Sequence, residues 1–390
     1  MLIHRIHQSF IRIIYQLLPL LFICCTFVGC EKKTNTSRQM NENATSEINR
    51  KVLSTRKMKV LYGFTKSLSC FTGRTVNDII DSLKSWQIDA IFGGFQDTAL
   101  VAALQQANIK VFAEAGIFVG ERFWKDCQFA RPVNANGEPI QKEQWYAGVN
   151  PVVTEVRENR LAYLEQLARE YPLDGIWLDF IRWPCHWEVP LPLLQQTSFD
   201  DYTLEKFQQA RGIILPANLG APQSKATWVL ENQLEAWTAW KCQQITDFVK
   251  EARAVIKAVS ENMMIGLFGV PWLPTDFNGA ITQIIGQDYA QLAEYVDVFS
   301  PMVYHLMCQR EVKWIADVTN WLAHTTRKPV WPIIQATDEP TPLRPVEFGS
   351  AIHSGLTAVG SRGIIIFRMK DLTPEKLVQM KMVFNQFQED

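Results

Sequence analysis

From residue 58 onward the chain alternates short apolar runs with longer stretches whose apolar residues recur at helical spacing. Runs of about four to eight residues rich in β-branched and aromatic side chains predict strands. Recurrence every three to four positions predicts helices with one buried face. The predicted strands cover 59–65 (KVLYGFT), 90–95 (AIFGGF), 110–115 (KVFAEA), 175–179, 264–268, 298–304, 330–335 and 363–368. Between them lie predicted helices over 76–86, 97–107, 154–170, 234–259, 288–295, 312–324 and 346–358, and a last helix covers 374–387. Strands that alternate with helices build a parallel sheet covered by those helices. Eight such strands predict an α/β fold of the (β/α)₈ TIM-barrel type over 58–390, formed as one unit. An open doubly wound sheet is the rival topology, but no Gly-rich phosphate loop follows the first strand. Residues 184–230 are rich in Pro and polar groups and too long for an ordinary strand-to-helix connection, so they predict an elaborated loop over the barrel mouth after strand four.

The first thirty residues follow a different pattern. Arg5 and Arg12 precede an apolar run over 13–28 that is short for a membrane span. Phe27-Val28-Gly29-Cys30 then resembles a bacterial lipobox, with Phe27 where Leu is usual. The expectation is a lipoprotein signal peptide over 1–29, lipidation at Cys30, and a flexible polar tether over 30–57. That makes the chain an exported protein of the bacterial cell envelope, held to the membrane by an N-terminal lipid anchor. A plain signal peptide or an uncleaved anchor is the alternative.

Composition narrows the function. The net charge is −1 with no basic block beyond the N-terminus, which argues against a nucleic-acid partner. Thirteen Trp residues suit sugar binding, because the apolar face of a pyranose stacks on an indole. Of the eight cysteines, the five beyond the N-terminal segment show no metal-ligand spacing. No GxSxG elbow occurs, and the adjacent Cys185 and His186 project apart. No cofactor and no metal are implied.

Active sites of these barrels form at the C-terminal ends of the strands. The polar residues expected there are Glu114, Asp179, Arg182, Asp276, Tyr304, His305, Gln335, Asp338 and Arg368. Side chains alternate along a strand, so Trp177 and Asp179 share one face while Ile176, Leu178 and Phe180 share the other. The apolar trio suits the helices, which turns Asp179 toward the barrel interior. A carboxylate there is costly unless paired or used. Glu114, on the neighbouring strand among apolar residues, is the expected second carboxyl, with Asp276 its rival as general acid. Asp276 could equally cap a turn, and His305 could be a structural histidine. Trp183 and Trp272 are the expected stacking faces.

The segments WYAGVNP (145–151), VTEVRENR and YPLDGIWLDFIRWP resemble the TIM-barrel glycoside hydrolases, many of them bacterial lipoproteins. IGQDYAQLAEYVDVFSPMVYH (285–305) resembles the strand-six region of related families. The resemblance spans most of 58–370 and implies a glycosidase. Asp179 also resembles the strand-four nucleophile of α-amylase-type barrels. The chain departs from that pattern in having Trp177 where Arg is expected and GLFGVPW where strand five should carry Glu. The expected function is therefore a glycoside hydrolase acting on an extracytoplasmic poly- or oligosaccharide by a two-carboxylate mechanism. Asp179 would be nucleophile or base and Glu114 (or Asp276) the acid, with Arg182, Trp183, Trp272, Tyr304, His305 and Gln335 on the sugar. The rivals are a non-catalytic carbohydrate-binding lipoprotein on a barrel scaffold and a metal-assisted hydrolase.

Overall fold

The computed structural model describes residues 56–387. The expected signal peptide, Cys30 and most of the expected tether lie outside them. Eight strands form one parallel sheet: β1 Met58–Phe64, β2 Ala90–Gly93, β3 Lys110–Gly116, β4 Gly175–Asp179, β5 Met264–Gly269, β6 Val298–Pro301, β7 Ile333–Gln335 and β8 Gly363–Phe367. Their order is β6-β5-β4-β3-β2-β1-β8-β7. Single parallel bridges, Phe299 to Val330 and Met302 to Ile333, close the remaining seam between β6 and the β7 segment. The fold is the (β/α)₈ barrel that the alternation predicts.

The helices outside it are α1 Val76–Ser85, α2 Thr98–Gln106, α3 Glu121–Asp126, α4 Thr154–Glu170, α5 Asp201–Arg211, α6 Pro222–Asn232, α7 Leu234–Val259, α8 Ala280–Gln283, α9 Tyr289–Leu292, α10 Lys313–Thr326, α11 Pro345–Thr357 and α12 Pro374–Asn385. Local chemistry sets several starts. The Thr75 and Asp78 side chains form a reciprocal capping box on α1, while Asp97 and Asp200 cap α2 and α5. Two expectations change. Residues 184–230 are not all loop, because α5 and α6 form within them and pack on α7. The sixth and seventh strands are shorter than their apolar runs, since 302–304 and 330–332 continue as buried irregular backbone.

Aromatic rings fill the barrel. Trp177 is fully buried, 4.5 Å from the Phe112 ring, 5.2 Å from Phe92 and 5.5 Å from Trp331 between centroids. Its indole N–H donates to Ser300 Oγ at 3.0 Å. Gly266 faces Trp177 across the β4–β5 register, and a Cβ there would stand 2.0 Å from the indole. The smallest residue is what lets the largest one fill the barrel. A second aromatic cluster, Trp183, Trp237, Trp240, Phe199 and Phe207, lies among the segment after β4, α5 and α7.

Candidate active site

β3 and β4 lie side by side with Glu114 opposite Trp177 and Gly116 opposite Asp179. Both carboxyl side chains therefore reach the interior face near its upper end. Each bears on the titration of the other: Asp179 raises Glu114, and Glu114 lowers Asp179. Burial, then the neighbouring Asp179 charge, holds the Glu114 carboxyl well above the ordinary carboxylate range. Burial also raises Asp179, but the Arg182 charge, the Phe180 N–H and the bond from Glu114 oppose it. A proton on the pair therefore favours Glu114 over Asp179. The Tyr62 hydroxyl of β1 donates to Glu114 Oε2 and fixes that carboxyl from the other side.

The chain turns sharply after Asp179. Phe180 adopts a left-handed φ of 54°, and its N–H donates to Asp179 Oδ1 at 2.6 Å. Such a backbone is strained for a bulky residue and persists because its surroundings hold it. The turn brings Arg182 back under the site, fully buried, with its guanidinium 4.7 Å from the Phe180 ring and 5.4 Å from Tyr146. Arg182 Nη1 lies 3.9 Å from Asp179 Oδ1, and Nη1 and Nη2 find no hydrogen-bond partner among the described residues.

The same segment continues to His186 and Glu188, which line a cavity of about 430 Å³ together with Trp145, Tyr304, Phe367 and Arg368. His186 Nε2 stands 3.5 Å from Glu188 Oε2. Burial, with the Asp179 charge adding to it against Arg182, pushes the Glu188 carboxyl up to about 7. Burial and Arg182 keep His186 below its ordinary value, so it is neutral at neutral pH. Tyr304 stacks between Trp187 and Phe367 at 5.8 and 5.0 Å. Burial, then the charges of Glu188, Asp179 and Glu114, raise its hydroxyl well above the usual range. Three carboxyls from three chain segments thus surround one phenol.

The structure brings together Glu114, Asp179, Arg182 and Tyr304 and separates the other expected residues from them. Trp183 is fully buried in the second aromatic cluster, its N–H on the Lys241 carbonyl, so it offers no face to a sugar. Trp272 is 3% exposed and packs on Phe277 at 4.9 Å. Asp276 accepts the Leu273 N–H at 2.8 Å and pairs with Arg310 at 3.2 Å, the turn-capping role rather than that of an acid. His305 faces Glu347 of α11 at 3.4 Å. Gln335 is consumed as a clamp: its oxygen accepts from Leu306 and Met307, and its amide donates to the Thr337 and Glu339 carbonyls. Among the described residues no group of three or more His, Cys, Asp or Glu is arranged to hold a metal ion.

Sequence reasoning missed Glu188, His186, Tyr62 and Trp145. The signal for Glu188 was a lone acid in the otherwise apolar, Trp- and Pro-rich stretch WPCHWEVP. Trp145 is 54% exposed at the cavity rim, whereas Trp183 and Trp272 are buried.

A closed parallel barrel with buried carboxyls converging at the C-terminal ends of its strands has the build of a glycoside hydrolase. The chain belongs to the family described as "Putative glycosyl hydrolase domain", whose model matches residues 84–319, and it is a TIM-barrel glycosidase. Among solved structures it is similar to the PgaB (BpsB) glycoside hydrolase domain from Bordetella bronchiseptica, with TM-score 0.61 and 12% identity over 83% of this chain and 98% of that one. It is also similar to the β-galactosidase from Marinomonas ef1, with TM-score 0.58 and 12% identity over 84% of this chain and 59% of the other. Gan42B, a GH42 β-galactosidase from G. stearothermophilus, gives TM-score 0.58 and 12% identity over 86% of this chain. The chain spans only 57% of Gan42B. At these identities the likeness is one of fold. No curated protein sequence matches the chain.

Proposed function

We propose that this glycosidase hydrolyses a poly- or oligosaccharide outside the cytoplasm by a two-carboxylate mechanism in which Asp179 is the anionic carboxylate. The observation that carries this is the pair of buried carboxyls at the barrel mouth. Burial raises both, Glu114 the further, while Arg182, the Phe180 N–H and Glu114 all draw Asp179 back toward its ionised form. Such a carboxylate can attack an anomeric carbon or take a proton from water. We assign the partner across the scissile bond to a carboxyl other than Glu114. The two carboxyls of retaining and inverting enzymes stand ~5 to ~9.5 Å apart on either side of the sugar, whereas Glu114 lies on the adjacent strand with Tyr62 donating to it. Glu114 and Tyr62 are positioning residues that set the orientation and charge of Asp179. Trp145 at the rim supplies an apolar face for a sugar ring. The leader-like segment 1–29 and Cys30 support an exported, lipid-anchored enzyme whose substrate is an envelope or environmental glycan.

The test is hydrolysis of a glycan panel by wild type and Asp179→Asn. The variant loses turnover by roughly 10²–10⁴-fold while still binding the glycan that wild type cleaves. Unchanged turnover in Asp179→Asn refutes the assignment, and binding without turnover by wild type refutes the enzymatic reading. Cell fractionation with Cys30→Ala tests the anchor: the wild type sediments with membranes and the variant does not. Equal sedimentation argues against lipidation.

A further inference from the structure

We propose that Glu188 is the general acid of this site, the group that protonates the leaving oxygen opposite Asp179. This rests on the hydrolase reading above and supplies its second carboxyl. Three observations carry it. Glu188 lines the 430 Å³ cavity directly, whereas Asp276, the acid expected from sequence, is tied to Arg310 and the Leu273 N–H. Glu188 Oε2 is buried with no hydrogen-bond partner among the described residues, as suits an atom that waits for a substrate oxygen. Asp179 and Glu188 are near enough for the charge of one to bear on the other, with Arg182 and Tyr304 beside both, and they share no hydrogen bond.

The groups that face Glu188 agree with the role. On its own segment these are Arg182, Cys185 and the neutral His186, which also lies 3.8 Å from Glu143. Asp179 faces it from β4, Tyr146 from the segment after α3, and Tyr304 and Cys308 from the segment after β6, while Glu339 and Arg368 line the same cavity. Arg182 is the cation that acts on it most, and burial with the Asp179 charge outweighs it, leaving the carboxyl at about 7. An acid that titrates there is protonated often enough to donate and weak enough to be re-protonated between turnovers.

In the step itself the bond from the anomeric carbon to the leaving oxygen breaks, and its electron pair goes to that oxygen. The oxygen takes the Glu188 proton. The anomeric carbon gains a bond to an Asp179 oxygen, or to a water whose proton Asp179 accepts. In the first case Glu188, now a carboxylate, removes a proton from the water that releases the sugar and is reset. In the second, solvent exchanges the protons of both groups.

The experiment uses the sugar that wild type is found to cleave, presented as a natural saccharide and as its 2,4-dinitrophenyl glycoside, whose leaving group departs without protonation. Glu188→Gln loses roughly 10²–10⁴-fold in kcat/KM on the saccharide and stays within about tenfold of wild type on the aryl glycoside. The alkaline fall in the wild-type kcat/KM profile disappears in the variant. Asp179→Asn loses both substrates, so its result reports on the hydrolase reading alone. Equal loss on both substrates in a Glu188→Gln protein that melts normally overturns the proposal, as does loss on neither. Should that variant fail to fold, Glu188→Asp, which keeps an acid, must retain the alkaline limb and lose more on the saccharide than on the aryl glycoside; equal losses again overturn it.

Discussion

Replacing Glu188 by glutamine removes one buried titration and leaves the shape nearly unchanged, so its effect on stability can be worked out as a function of pH. Burial and the Asp179 charge raise this carboxyl from an ordinary 4.5 to about 7 in the folded protein. Its side chain is 18% exposed, so solvent screening reduces the effect only modestly. A raised acid favours the folded state fully below its unfolded pKa. That contribution is lost as pH rises through the folded value. A shift of about 2.5 units corresponds to roughly 3 kcal/mol in total, of which about 2.5 kcal/mol develops between pH 5 and pH 8. For roughly 330 residues, at about 2.1 cal/mol/K each, the unfolding entropy is near 0.7 kcal/mol/K. The Tm of Glu188→Gln minus that of wild type should therefore rise by about 3–4 °C from pH 5 to pH 8. Scanning calorimetry of both proteins across that range measures it. A constant offset, as from an imperfectly bonded amide, cancels in the comparison. A difference that stays flat with pH, or that grows toward acid, would refute the argument that this carboxyl is held protonated by its surroundings.

Two further perturbations follow from the barrel and its rim. Gly266→Ala places a methyl 2.0 Å from the Trp177 indole, and because both sit in a closed aromatic core it should cost about 3 kcal/mol, read as a lowered urea midpoint; an unchanged midpoint would mean that Trp177 does not fill the barrel as described. Trp145→Ala removes an exposed ring at the cavity, so kcat and Tm should hold while KM rises roughly fivefold, about 1 kcal/mol; a fall in kcat with KM unchanged would remove Trp145 from the binding surface.

The sequence by itself determined the barrel and the place of its mouth. Strand and helix periods are local properties, and eight repeats of them admit few closed arrangements. The alternation around Trp177 and Asp179 also set which face turned inward, because a one-residue slip would have placed Ile176 and Leu178 inside instead. Tertiary structure alone decided the partners. Gln335 and Asp276 stand at or near strand ends and read as site residues, yet backbone groups of neighbouring loops, with the Arg310 side chain for Asp276, use up their polar atoms. Trp183 follows the motif directly, but the turn at Phe180 sends it into a cluster with Trp237 and Trp240. The same turn carries Glu188 back to the cavity over a stretch with no periodicity to reveal it. Which carboxyl favours a proton depends on burial and on charges from distant segments, so only the fold shows that Glu114 is raised further than Asp179 and that Arg182 and the Phe180 N–H oppose the rise at Asp179.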